Sequence, residues 1–153
     1  MIRLSVISSA PVGREFLDGL RKYASVAEDI HDSLLSSLAK RALIEVQDYA
    51  DESTLACTLR LYVTGNTSRD IRLYQSVTEI EYVRDGEGED IPFSLSGRTV
   101  TLGKDADTVE IVYRTMPEQG NMERLLPVVY RYATALYDGQ DNIELTKILQ
   151  EIC

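Results

Sequence analysis

The sequence predicts an α+β fold, in which N-terminal and C-terminal helices form a helical subdomain packed on a small, mostly antiparallel β-sheet. Three observations carry that expectation. Apolar residues recur at three- and four-residue steps over residues 29–50, the period changes to two from Leu55 onward, and Pro117-Glu118 then breaks the strand pattern and leads into closing helices. A chain of 153 residues with 44% hydrophobic and 27% charged residues can bury a core of its own, so one domain spanning residues 1–153 is expected.

The elements follow in order. Residues 11–23 read as a short helix with Gly13 as N-cap and Phe16, Leu17 and Leu20 on one side, while Gly19 costs roughly 1 kcal/mol against Ala in a helix interior. The second helix turns Leu35, Leu38, Ala42, Val46 and Tyr49 toward the core. Ile44 falls on the opposite side among Lys40, Arg41 and Asp48, either as a lone surface apolar residue or as a subunit contact.

Leu55, Cys57, Leu59, Leu61 and Val63 alternate with more polar residues and define a half-buried strand. Gly65-Asn66 marks a turn, residues 71–74 and 77–83 supply extended segments, and broken alternation at Val77, Glu79 and Ile80 signals a bulge. Asp85-Gly86 is a hairpin signal, followed by strands at residues 91–93 and 99–102 around a Ser96-Gly97 turn, and a last one at Val109, Ile111 and Tyr113. The hairpin tip gathers Asp85, Glu87, Glu89 and Asp90 with two glycines in six positions, which predicts a projecting, mobile acidic loop. It is either a solvated tip or a surface for a basic partner.

A helix near residues 125–138 carries Pro127 in its first turn and Val128, Val129, Tyr132, Ala135 and Leu136 as core stripe. Tyr130 and Tyr137 share another direction, suited either to a protein interface or to packing on a neighbouring helix. Gly139 stops this helix, and Asp141 with Glu144 resembles a capping box opening a final one over residues 141–153. Ile143, Leu145, Ile148, Leu149 and Ile152 are its apolar residues. A helix so short is marginal alone, so its stripe docks either on its own domain or on a partner.

Composition excludes several function classes. No apolar run approaches the ~20 residues of a membrane-spanning helix. The apolar stretch of residues 4–7 is shorter than a secretory core, and no export signal is expected. Cys57 and Cys153 have neither metal-site spacing nor the density of a disulfide scaffold, and are expected as reduced thiols. Twenty-five acids against sixteen bases give a formal charge of −9, the wrong sign for gripping phosphates. His31 is the single histidine, which removes histidine metal clusters, and no nucleotide-binding or acyl-transfer motif occurs. The acidic pairs Glu79 with Glu81 and Asp105 with Asp107 stand outside any motif, so no catalytic residue, metal or cofactor is assigned and no enzyme is expected.

Taken in order, the elements resemble the head-tail connector (adaptor, or head-completion) family of tailed bacteriophages over residues 11–137. The likeness rests on Pro11-Val12 before a short helix, on the helical stretch of residues 32–42, and on Ser76-Val77-Thr78-Glu79-Ile80-Glu81-Tyr82 leading to Asp85-Gly86. It continues with the alternating strand of residues 109–113, Pro117-Glu118 and the helix-ending Leu136-Tyr137. The chain departs from the family in having Asp51-Glu52-Ser53 where Thr-Gly-Arg is frequent, and in lacking a Gly-aromatic-Gly after the closing strand.

The resemblance implies a virion neck protein assembled in the host cytoplasm. It would form a homo-oligomeric, dodecameric ring beneath the portal, extend the DNA channel without specific DNA binding, and join the head to a stopper or tail protein. Residues 141–153 would be the portal-docking helix, with no membrane involved. The alternative from another class is an acidic regulatory or DNA-mimic module.

Overall fold

The computed structural model describes residues 1–24 and 32–138 and has the α+β class expected, with three helices and two antiparallel sheets. The chain divides into two compact units. The first comprises Met1–Ala10 and Ala56–Met116, the second Pro11–Leu55 and Pro117–Cys153. No helix among the described residues is long and apolar enough to cross a membrane.

The first unit is all β. Its larger sheet contains β1 (Ile2–Ser9), β2 (Cys57–Val63), β4 (Val77–Asp85) and β7 (Val109–Thr115) in the order β1-β2-β7-β4, every pair antiparallel. β1 is not among the expected strands; its Ile2, Leu4 and Val6 pair opposite Val63, Leu61 and Leu59. The first part of the helical unit, residues 11–55, is thus an insertion between two paired strands, and Ala10 donates its N–H to the Ala56 carbonyl at 2.8 Å where the chain leaves and returns.

The predicted bulge in β4 is real and doubled, with register shifts between Val77 and Glu79 and between Ile80 and Tyr82. Leu59, Leu61, Ile111 and Tyr113 are fully buried; burial alternates strictly along β2, while on β7 Val112 is buried as well. The buried Tyr113 hydroxyl accepts from the Tyr74 N–H and donates to the Tyr74 carbonyl, both at 3.2 Å. Those two bonds pin the segment where Gln75 takes a left-handed φ of 68°.

The smaller sheet, β3-β6-β5, joins β3 (Asp70–Arg72), β6 (Thr99–Leu102) and β5 (Phe93–Ser96). Sequence placed the β5 strand at residues 91–93, two residues early. Ile91 instead donates its N–H to Val83 and is buried, and the strand starts after Pro92, which has no N–H to give a ladder. Gly97, at φ 59°, makes the two-residue turn from β5 into β6.

The second unit is helical, with α1 (Arg14–Ala24), α2 (Asp32–Ala50) and α3 (Gln119–Tyr137). The core stripe of α2 is Leu35, Ala39, Ala42, Leu43, Val46 and Gln47, rotated from the expected one; Leu38 is half-buried and Tyr49 is 52% exposed. Gln47 takes the interior place because its Oε1 accepts from the N–H groups of Thr54 (3.2 Å) and Leu55 (3.4 Å). Thr54 also donates its hydroxyl to the Leu43 carbonyl at 2.6 Å. Asp51 at φ 53° and the Glu52 N–H bonded to the Gln47 carbonyl give α2 a left-handed C-terminal turn, without the glycine usual there.

α3 starts six residues before the expected position, at Gln119, so Pro127 lies inside the helix and not in its first turn. The ring removes one hydrogen bond on an exposed side of the helix, where water can serve the released carbonyl. The expected stripe of Val128, Val129, Tyr132, Ala135 and Leu136 is buried, joined by Leu125 and Ala133.

Candidate interaction surfaces

Among the described residues there is no group of three or more His, Cys, Asp or Glu side chains able to hold a metal ion. His31, Cys153 and the apolar residues Ile143, Leu145, Ile148, Leu149 and Ile152 lie outside the described residues. Cys57 is buried in β2. The candidate surfaces are therefore sheet edges, sheet faces, turns and helix faces.

The acidic hairpin is a hydrogen-bonded turn. Asp85 ends β4, and one carboxylate oxygen accepts from the N–H groups of Glu87 (2.9 Å) and Glu89 (3.0 Å). Its backbone N–H donates to Glu89 at 2.9 Å, while Gly88 at φ 80° donates to the Asp85 carbonyl. The two carboxylate-bound amides, helped by Lys104 at 3.8 Å, hold the Asp85 carboxyl below its ordinary range. Asp90 pairs with Arg84 at 3.2 Å. Asp85 and Asp90 are thus spent on the turn itself, and Glu87 and Glu89 are the acids at its exposed tip.

One face of the larger sheet carries a ladder of arginines and tyrosines. Glu110 of β7 stands opposite Tyr62 of β2 and Arg84 of β4. It accepts from the Tyr82 hydroxyl at 2.5 Å and from Arg60 at 3.3 Å. Arg84 stacks over the Tyr82 ring at 3.9 Å, and Arg60 lies 5.2 Å from the Tyr62 ring. The Tyr82 hydrogen bond is the main cause that pulls the Glu110 carboxyl down, and the same bond raises the Tyr82 phenol. Further along, Arg114 reaches Glu81 at 2.8 Å and Glu79 at 3.6 Å, so that acidic pair is a clamp on an arginine. Asp105 likewise pairs with Arg69 at 2.8 Å. A shallow groove of ~460 Å³ beside Arg114 has Ser8, Ser9, Thr58 and Thr78 in its lining together with Ala10, Ala56 and Met116, with no grouping that points to a reaction.

In the helical unit Tyr130 is half-buried, with its ring 5.1 Å from Phe16 and 5.7 Å from Tyr23. A Cβ on Gly19 would collide with the Tyr130 hydroxyl, which explains a glycine in the middle of α1. Of the two readings open for Tyr130, the geometry supplies packing on a neighbouring helix. Tyr132 donates its hydroxyl to Glu45, which also pairs with Arg41 at 2.9 Å; burial first, and then the Glu45 bond, push the Tyr132 phenol up to about 12. Ile44 and Tyr137 are half-buried.

The surfaces that sequence reading missed are β1 and β5. Ile2 (58%) and Ile7 (54%) on β1, and Phe93 (41%) and Leu95 (42%) on β5, are exposed at sheet margins. The alternation of Ile2, Leu4 and Val6 was the available signal for β1.

The described residues thus make an α+β fold that presents open sheet edges and surface charges held in pairs. No protein-family model and no curated protein sequence matches the chain. Solved structures do. Over 97% of its length it aligns with 94% of a chain in the neck of an empty GTA particle computed with C6 symmetry, at a TM-score of 0.70 and 14% identity. A chain in the virion of a native gene transfer agent (GTA) particle gives a TM-score of 0.67 at 13% identity, covering 97% and 94% of the two chains. One in the neck of a native GTA particle computed with C12 symmetry gives 0.59 at 13%, covering 95% and 94%. At such identities the likeness is one of fold, and the fold is that of chains found in particle necks.

Proposed function

We propose that this chain is a structural adaptor of a phage-like particle. Copies form a ring beneath the portal, extend the DNA channel, and join the head to the stopper or tail. The observation that carries the reading is the near full-length likeness of fold to a chain in a particle neck. The resemblance in the order of sequence motifs agrees with it. So does the use of conspicuous acids for structural pairing, which leaves an enzymatic reading without support. Twelve copies is the proposed number, and packaged DNA would pass without being gripped.

Charge is unevenly divided between the units. The β unit holds eight basic and ten acidic residues, and the helical unit eight and fifteen. A protein that must release DNA gains from such a deficit of cations. Residues 141–153 are proposed as the portal-docking segment.

The test mixes the purified chain with purified portal rings and images the product by electron microscopy. A second ring stacked on the portal is expected, and removing residues 142–153 is expected to abolish the stacking while the thermal transition remains. A chain that stays solitary beside the portal and instead competes with DNA for a host protein would replace this reading with the acidic mimic. Stacking by the truncated chain would move portal docking elsewhere on the molecule.

A further inference from the structure

The β unit presents four sheet edges, and they are not alike. β4 is bulged twice and carries Glu79 and Glu81. β3 is three residues long, with Asp70 and Arg72 flanking its one buried residue. Bulges, shortness and charge are the means by which folded proteins keep an edge from pairing with another chain. β5 carries no charge, exposes all four of its residues, and places Phe93 and Leu95 in water. β1 runs eight residues with Arg3 as its one charge, and its single irregularity, between Val6 and Ser8, holds the exposed Ile7 where a blunted edge would hold a lysine. Among the described residues neither β1 nor β5 has a strand on its outer side.

Their side-chain patterns also match. Leu4-Ser5-Val6 and Phe93-Ser94-Leu95 both read apolar, serine, apolar. Pairing in register would set rings and branched chains on one face and serines on the other, the arrangement by which cross-strand neighbours stabilise a sheet. We propose that β1 of one copy pairs with β5 of the next, so that every copy gives one edge and receives the other. A contact made from two different patches runs head to tail, and it closes as a ring when the rotation from copy to copy divides the full turn. Pairing of β1 with its own counterpart would stop at two copies and leave β5 bare. The inference rests on the ring reading above and names the surface that would build it.

The experiment uses full-length Ile7→Lys and Leu95→Lys chains, both altered at exposed positions, with circular dichroism melting as the check on folding. Under conditions where the unmodified chain forms rings by mass photometry, each variant is expected to remain monomeric. An equimolar mixture is expected to give dimers, because the Leu95→Lys copy retains a good β1 and the Ile7→Lys copy a good β5. Rings from both variants, with the unmodified chain also forming rings, would overturn the edge pairing and leave the ring reading standing. Paired β1 edges would show as an assembly indifferent to Leu95→Lys, which also overturns it. An unmodified chain that stays monomeric even on portal rings would sink both readings together. If either lysine variant unfolds, Ser5→Cys combined with Ser94→Cys or Ser96→Cys, in a Cys153→Ser background, decides the matter. A ladder of disulfide-linked copies on oxidation supports the pairing, and its absence from assembled rings refutes it.

Discussion

Gly19 and Tyr130 show how one residue is explained by another far away in sequence. Glycine costs a helix roughly 1 kcal/mol relative to alanine, so a bare propensity argument predicts that Gly19→Ala stabilises α1. The geometry reverses the sign, because the new methyl group meets the Tyr130 hydroxyl in a packed ring cluster and overpacking costs about 1 to 3 kcal/mol. Gly19→Ala is therefore expected to lower stability by ~1 kcal/mol or more in urea unfolding. Combined with Tyr130→Phe, which removes the colliding oxygen, at least half of that loss should return. An undiminished loss in the double variant would mean that the two side chains do not meet.

The pairing of β7 with β4 has its own pH signature. Glu110 is lowered from 4.5 and Tyr82 raised from 10.0, each chiefly by the hydrogen bond between them. A depressed carboxyl gives stability that is present above pH 4.5 and lost as the pH falls through its folded value, while a raised phenol gives stability that is present below pH 10 and lost as the pH rises through its own. Between those limits Tyr82→Phe should cost ~1 kcal/mol, since the bond is charge-assisted but partly solvated. In acid the variant and the unmodified chain should unfold at the same denaturant concentration. At this scale the sequence was legible wherever period was strong: β2, β6, β7 and the α3 stripe stand close to where alternation and helical spacing put them. It was illegible where one long-range partner overrode local preference. Gln47 is drawn inward by the amides of Thr54 and Leu55, and a proline inside α3 reads as a helix start because propensity cannot register an exposed, hydrated carbonyl. The hydrogen bonds inside the acidic hairpin were illegible in the same way, since composition counts charges and not the two amides that one carboxylate can gather.

For the whole molecule, the surplus of acid on the helical unit bears on how a ring would treat DNA. Assembled rings are expected to leave duplex DNA unretarded in a gel at ~0.05 M salt, where a surface that neutralises phosphates binds most strongly. Retardation that weakens steeply with added salt would show a channel that grips its cargo. The class of fold was readable from the order of periods along the chain. The division into two units was not, because the first strand closes on a segment that lies beyond the whole first part of the helical unit. That closure also sets a timetable. During synthesis Ile2 must wait for Val63 to leave the ribosome, and Ser9 for Cys57, before the N-terminal strand has any register. A strand made before the inserted helices thus settles only after them, and a nascent chain has no finished β1 margin to offer a sister copy until β2 has been translated.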